Sequence, residues 1–333
     1  METLNAAVIG VGSMGKNHAR NYSELGGVNL VGVCDAEKKT ADGIASRFRC
    51  KSYTDHAKLL KENKIDVASI VVPTQHHMQV ALDFINAGVN VLIEKPISAT
   101  VAEGEKMVAA AEKNKVKLSV GHIERFNPAV VELKRRLLKG EPGKIFEMRA
   151  HRIGPFPARI RDVGVVIDLA THDIDIMRYL TGSDVVRLYA ETERRIHTSH
   201  EDLLSGLLKF KNNTIGVLNI NWLTPEKIRE INVTGEKGMF IAKYLSQELF
   251  FHENVVAKRK EYSYSDILMG VGEGDITNIR IQKREPLRLE LEAFCECVRK
   301  NTQPPVSGKD GIEALRIASL LIESSKENKV VTI

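Results

Sequence analysis

Apolar and polar positions fall into two rhythms along the chain. As far as Gly121, short apolar runs at 4–9, 29–34, 66–72, 90–94 and 117–121 read as strands. Helical periodicity occupies the intervals after Gly15 and near 55–63, 76–86 and 101–113. Repeated strand-helix units of this length predict a parallel sheet wound on both faces, with ligands at the carboxyl ends of its strands.

The rhythm then changes. The run Gly121-His122-Ile123-Glu124-Arg125-Phe126-Asn127-Pro128 leaves the sheet and enters an amphipathic helix to about Leu138, which places a domain boundary between His122 and Ile123. After a helix ending near Leu180, alternating segments at 185–196, 203–209, 214–222, 228–233 and 239–242 are separated by turn signals such as Lys211-Asn212-Asn213 and Gly235-Glu236-Lys237-Gly238. That pattern predicts an antiparallel sheet, covered by helices on one face and open to solvent or a partner subunit on the other. Helices at 286–300 and 310–327 finish the chain. The expected class is α/β: an N-terminal Rossmann doubly wound parallel sheet over residues 1–122, then an α+β domain over residues 123–333 with a largely antiparallel open sheet.

Composition narrows the classes. At 333 residues the chain is long enough for two cores. Its net charge of +5 is too small and too scattered to suggest nucleic acid as a partner. Cys34, Cys50, Cys295 and Cys297 form neither a CxxC pair nor a zinc-spaced set with histidine, so neither a metal nor a disulfide framework is expected. No apolar run reaches membrane-spanning length, and the N-terminus shows no charged-then-apolar leader. A cytoplasmic protein, without membrane partners, is the expectation.

The first apolar run leads into Gly10-Val11-Gly12-Ser13-Met14-Gly15 and then a helix. In a GxGxxG turn the first glycine permits the tight bend, the second lets a pyrophosphate approach the backbone, and the third allows close packing of helix on strand. Asp35 stands twenty residues beyond Gly15 at the end of the next strand, where a carboxylate accepts from ribose hydroxyls. The pair predicts a dinucleotide cradle, the alternative being a glycine turn and a surface aspartate. Ala36 stands where an arginine would greet a 2′-phosphate, so NAD is expected over NADP, with Lys38 and Lys39 the features against.

Two further strand ends carry chemistry: Val72-Pro73-Thr74-Gln75-His76-His77, and Glu94-Lys95-Pro96. Pro73, Thr74, Glu94 and Lys95 are candidate cofactor contacts, and the Lys95-Pro96 peptide is a candidate for the cis form. A lysine in a partly desolvated cleft can stabilise a developing alkoxide, although an isolated Lys-Pro is more often a solvated loop. Farther on, Asp162–Asp175 reads DVGVVIDLATHDID. If it is helical, Asp168 and His172 share one face, and a carboxylate beside an imidazole can orient it and tune its basicity. Asp175 is a candidate support for His172; Asp162 and Asp173 are poorly offset from it. Ahead of this run, Arg149, Arg152, Arg159 and Arg161 fall within thirteen residues on a proline-stiffened segment, and Arg152, Arg159 and Arg161 are candidate grips for a diphosphate. Trp222 reads first as a packed core or interface side chain and second as a stacking platform.

These motifs, in this order, resemble the Gfo/Idh/MocA family: GxGxxG, the strand-ending aspartate, Pro-x-x-x-His at Pro73 to His77, Glu-Lys-Pro, and Asp-x-x-x-His at Asp168 to His172. The similarity spans essentially the whole chain. It implies a two-domain NAD(P)-dependent dehydrogenase acting on a sugar hydroxyl, with Lys95, Asp168 and His172 at the catalytic positions. It also implies His77 near the nicotinamide, Arg125 and Asn127 in the substrate cleft, and the open sheet face as the contact of a homodimer or homotetramer. For the two histidines that follow Thr74, opening a helix is the plain alternative, and for Arg125 it is a structural tether. GHIERFNP, RIGPFPARIRDVGVVIDLATHDIDIMRYL and NWLTPEKIREINVTGEKGMF most resemble the branch that oxidises C3 of UDP-N-acetylglucosamine. Alternatives are a dehydrogenase of free polyols or sugars and a non-catalytic dinucleotide sensor. One departure is visible: many members carry several glycines before the aspartate, whereas here Val163 and Val165 flank a lone Gly164.

Overall fold

Ala6, Ala7 and Val8 lose all solvent contact because β1 (Leu4–Ile9) runs through the middle of a parallel sheet. A strand buried on both faces needs no polar alternation, which is why LNAAVI reads as a continuous apolar run. The computed structural model describes residues 3–157, 163–197, 199–254 and 273–333. The chain divides into two compact units: residues to Phe126 with Glu285–Arg316, and Asn127–Arg284 with Ile317–Ile333.

In the first unit, β1, β2 (Val28–Cys34), β3 (Lys51–Tyr53), β4 (Val67–Ile70), β5 (Asn90–Glu94) and β6 (Leu118–Gly121) form six parallel strands in the order β3-β2-β1-β4-β5-β6. The order reverses direction between β1 and β4, so the loops leaving those strands diverge and open a crevice at their carboxyl ends. Helices α1 (Gly15–Glu24), α2 (Lys38–Phe48), α3 (His56–Glu62), α4 (His77–Asn86) and α5 (Val101–Asn114) make the crossovers. Local chemistry sets their ends. Asp55 caps α3 by accepting from the Ala57 N–H, and Thr100 with Glu103 forms a reciprocal capping box on α5. The short edge strand β3 and helix α2 are not legible in the apolar pattern, since β3 buries only Tyr53.

The helix Pro286–Lys300 belongs to the first unit, although the sequence reading counts it with the second domain. Its buried stripe of Leu287, Leu291, Phe294 and Cys295 completes a core with Leu4, Ala19, Tyr22 and Leu30. Periodicity shows that this helix has an apolar face but not which core that face completes. The first unit also continues past His122 as far as Phe126.

In the second unit, α6 (Pro128–Leu138) precedes β7 (Ile145–Pro155), β8 (Val185–Glu193), β9 (Leu203–Phe210), β10 (Ile215–Asn221), β11 (Leu223–Gly235), β12 (Gly238–Lys243), β13 (Glu248–Asn254), β14 (Glu273–Ile279) and β15 (Val331–Thr332). Among the described residues these nine strands lie in the order β14-β13-β12-β11-β7-β10-β9-β8-β15, all pairs antiparallel except β7 with β10. Arg149 and Arg152, the first two arginines of the proline-stiffened segment, lie on the central strand β7. On β9 (Leu203–Phe210), Leu204 and Leu208 are buried while Leu207 is exposed, and β10 (Ile215–Asn221) buries Leu218 and Ile220 while exposing Ile215. One face of this sheet therefore carries the core, and the other shows Leu207 and Ile215.

Candidate active site

The turn after β1 has the shape its glycines imply. Gly10 has φ +84°, and a Cβ there would lie 2.5 Å from the Val71 carbonyl oxygen. A Cβ on Gly15 would lie 1.8 Å from the Gly10 carbonyl oxygen, so α1 can start this close to the turn only without a side chain. Gly12 differs: a Cβ on it would meet nothing within 4 Å. Gly12 and Ser13 are exposed and Met14 half-buried, leaving room for a phosphate chain to approach the backbone at a helix N-terminus. Asp35 directly follows the neighbouring strand β2, where the sequence puts it. Its Oδ2 accepts from the Val11 N–H at 2.8 Å and its Oδ1 from the Glu37 N–H at 3.0 Å, so it also pins the glycine turn. Each oxygen retains a lone pair for a ribose hydroxyl. The set fits a dinucleotide.

At the end of β4, Pro73 is exposed and Thr74 half-buried at the start of a short 3₁₀ turn, Thr74–His76. His76 is exposed, whereas His77 opens α4 and is 1% exposed. His77 Nδ1 lies 3.0 Å from the Pro96 carbonyl oxygen and 3.3 Å from that of Ile97, and its Nε2 lies 2.9 Å from that of Val72. Burial pushes the His77 pKa below its ordinary 6.5, against the pull of these carbonyls and of Glu94. The structure thus gives His77 the task of joining the loops after β4 and β5.

The Lys95-Pro96 peptide is cis. Lys95 is half-buried at the end of β5, and Glu94 turns inward beside it. Glu94 Oε1 meets His18 Nε2 at 3.0 Å, and its Oε2 accepts from the Lys95 N–H at 3.2 Å. Burial alone would raise the Glu94 pKa, but the His18 hydrogen bond, the charge of Lys95 and the Lys95 N–H outweigh it and hold the carboxyl below its usual range. His18 is not among the residues singled out from sequence. Its partners lie on β4 and β5, and only its position after GxGxxG hinted at a role.

In the second unit the run around Asp168 is not one regular α-helix. Val166–Ala170 forms a π turn, and the α-helix α7 spans Thr171–Thr181. Thr171 Oγ1 donates to the Ile167 carbonyl at 2.9 Å across the junction. Single π turns recur at functional sites, where the widened turn re-aims side chains. The four-residue spacing from Asp168 to His172 therefore crosses a junction, and an α-helical face no longer explains it. Accessibility distinguishes the candidates instead: Asp168 and His172 are half-buried, while Asp173 and Asp175 are fully buried. The lone Gly164 also acquires a reason. Glu201 caps this helix start, its backbone oxygen accepting from the Val165 N–H at 2.9 Å and its Oε1 from the Val166 N–H at 3.2 Å. A Cβ on Gly164 would lie 2.0 Å from that oxygen.

The candidate substrate contacts fare differently. Arg152 is 4% exposed, its Nε donates to Asp173 Oδ2 at 2.6 Å, and its guanidinium lies 5.4 Å from the Tyr244 ring centre. This ties β7 to α7 and balances the charge internally. Asn127 caps the helix Pro128–Leu138 by accepting from the Ala129 N–H and donates to the Tyr244 carbonyl oxygen. Arg125 pairs with Asp310 at 3.1 Å within the first unit. Arg159 and Arg161, with Asp162, lie outside the described residues. Trp222 is 2% exposed, stacked on His197 at 6.1 Å with Phe156 edge-on at 5.9 Å, and so packs in the interior.

Comparison with known proteins now bears on this arrangement. Residues 4–122 match the oxidoreductase family with an NAD-binding Rossmann fold, and residues 130–241 match the GFO/IDH/MocA C-terminal domain. The chain belongs to the Gfo/Idh/MocA family. It is thus an oxidoreductase whose first unit takes NAD, as the open Gly12 turn and Asp35 fit. Among relatives of this family, the chain is 28% identical to UDP-N-acetylglucosamine 3-dehydrogenase of Acidithiobacillus ferrooxidans, covering 95% of both proteins. It is 27% identical to scyllo-inositol 2-dehydrogenase (NAD(+)) of Bacillus subtilis, covering 94% of this chain and 92% of that one. The solved structure of the Acidithiobacillus ferrooxidans enzyme GnnA superposes with a TM-score of 0.86 at 26% identity, covering 98% of this chain and 99% of that one.

Proposed function

We propose that this oxidoreductase oxidises a secondary hydroxyl of a nucleotide sugar, C3 of UDP-N-acetylglucosamine being the position, to give the 3-keto sugar. The observation that carries the reading is the likeness, along nearly the full length of both chains, to a UDP-N-acetylglucosamine 3-dehydrogenase in sequence and in fold. Arg159 and Arg161 are assigned to the diphosphate, with Arg125 and Asn127 shaping the turn that leads into the second unit. Arg152 is left out of the grip because Asp173 already balances it.

In this mechanism His172 takes the hydroxyl proton, Asp168 orients His172 or the substrate, and Lys95 stabilises the alkoxide as charge builds on oxygen. Bound NAD supplies the acceptor for the hydride that leaves the sugar carbon. Gly10 to Gly15, Asp35, Pro73 and Thr74 are assigned to holding it. The competing assignment makes Lys95 the base. Rate against pH for Lys95→Met and His172→Asn separates the two: His172→Asn should lose about a hundredfold or more in kcat, and near-normal turnover would remove His172 as base.

A polyol dehydrogenase is the second reading, favoured by the nearly equal likeness to the scyllo-inositol enzyme. Initial rates of NAD reduction with UDP-N-acetylglucosamine, scyllo-inositol, myo-inositol and glucose decide between them. Turnover of the free polyols with none of the nucleotide sugar would refute our assignment. NAD binding with no turnover across the panel would instead revive a sensor. We further propose a homodimer or homotetramer formed through the sheet face bearing Leu207 and Ile215, with Leu207→Lys expected to reduce the mass seen by light scattering. The four cysteines, none in a disulfide, suit a cytoplasmic setting.

A further inference from the structure

Behind Lys95 runs a row of buried polar groups that the mechanism does not use. His18 sits in the first turn of α1, fully buried, with Nδ1 3.0 Å from Ser69 Oγ on β4 and Nε2 3.0 Å from Glu94 Oε1 at the end of β5. Ser69 Oγ in turn lies 3.0 Å from the hydroxyl of Tyr22, one turn farther along α1. Glu94 closes the row by accepting from the Lys95 N–H. Its carboxyl also lies against Gly121, where a Cβ would come within 3.1 Å of Glu94 Cδ.

One proton arrangement satisfies every member. Tyr22 donates to Ser69, Ser69 to His18 Nδ1, His18 Nε2–H to Glu94 Oε1, and the Lys95 N–H to Glu94 Oε2. The row starts at Tyr22, which has no solvent exposure, so it offers no exit for a proton. It acts as a strut. Two unrelated segments, the helix that begins at the dinucleotide turn and the strand end that carries Lys95, are joined through one imidazole. On the far side of Lys95, His77 holds the carbonyls of Pro96 and Ile97, so the turn is braced both before and after the lysine.

We propose that His18 is a positioning residue for Lys95: by fixing the Glu94 carboxylate it sets the backbone at Lys95, and it couples that setting to the helix on which the dinucleotide rests. This inference rests on Lys95 taking part in the reaction.

The test is a double-mutant cycle in the full chain, with UDP-N-acetylglucosamine and NAD as probes. His18→Leu removes both hydrogen bonds, and His18→Gln can span Ser69 and Glu94 with its amide. The expected result is a loss of about thirtyfold in kcat for His18→Leu with KM values within about threefold, at least about tenfold of it regained in His18→Gln. In a Lys95→Met background, His18→Leu should change kcat less than about twofold. A readout that needs no substrate accompanies it: acetic anhydride labelling of the Lys95 amine, mapped by mass spectrometry, should change at least about threefold in rate in His18→Leu while exposed Lys38 keeps its rate. Should His18→Leu fail to fold, Glu94→Gln, which keeps volume and removes the anion, should give the same pattern. Additive losses in the cycle, or unaltered Lys95 labelling, overturn the proposal. A fully active Lys95→Met, or a wild type inactive on the nucleotide sugar, overturns the functional reading instead, and the labelling result still decides the role of His18.

Discussion

Gly12 and Gly15 offer opposite consequences for the same substitution. An alanine methyl at Gly15 would sit 1.8 Å from the Gly10 carbonyl oxygen. Ordinary carbon-oxygen contact is about 3.2 Å, so the turn and α1 must separate by roughly 1.4 Å, a displacement of the kind that costs about 1–3 kcal/mol as overpacking. Gly10 cannot follow freely, since its N–H donates to the Cys34 carbonyl at 2.7 Å and its φ is +84°. At Gly12 the methyl meets nothing, and no left-handed φ forbids it. Gly12→Ala should therefore keep or slightly raise stability, by up to about 1 kcal/mol, through the smaller entropy of the unfolded chain. The same methyl occupies the space a pyrophosphate needs, so it should remove charge-assisted bonds to the backbone worth about 2 kcal/mol, a loss of roughly thirtyfold in NAD affinity. Calorimetric titration with NAD and thermal unfolding, run on both variants, separate the effects. Gly15→Ala should lose affinity and melting temperature together; Gly12→Ala should lose affinity alone. Wild-type NAD affinity in Gly12→Ala would refute the placement of the pyrophosphate at this turn.

Two further perturbations address the second unit and pH. Arg152→Met takes the guanidinium away from the buried Asp173 carboxylate and should cost about 3–5 kcal/mol, whereas Arg152→Met with Asp173→Leu should recover most of it; equal urea midpoints for the single and double variants would contradict the buried-pair account. Because burial lowers the His77 pKa below 6.5, the unfolded chain protonates first on acidification, so stability is lost as pH falls from about 6.5 toward the folded value. His77→Gln should flatten the urea midpoint between pH 6.5 and 5, and parallel slopes in variant and wild type would count against that contribution.

What the sequence discloses about this fold is what local chemistry decides. Gly10, Gly12, Gly15 and Asp35 are legible because a tight turn, a helix start and a strand end each leave their mark in the residues that form them. His18 is not, because its meaning lies in Glu94, 76 residues away, and no periodicity encodes that meeting. The same holds for β7, whose partners β10 and β11 come some seventy residues later, and for the helix Pro286–Lys300, whose apolar stripe says that a core is needed but not which one.

The Asp168 to His172 run shows the limit most sharply. Counting offsets assumes an α-helical ladder, and a π turn changes the angle per residue without changing composition, so no count over DVGVVIDLATHDID could reveal it. Burial supplies a criterion independent of helix geometry. Arg152 holds Asp173 in the interior, and Asp175 is fully buried as well, which leaves Asp168 the described aspartate of this run that keeps solvent exposure, as His172 does. The lone glycine points the same way: a side chain at Gly164 would displace the Glu201 cap and with it the start of the turn that presents Asp168. A departure visible in the sequence thus has its cause in a residue 37 positions later, and the local openness that extra glycines would give is replaced here by a cap.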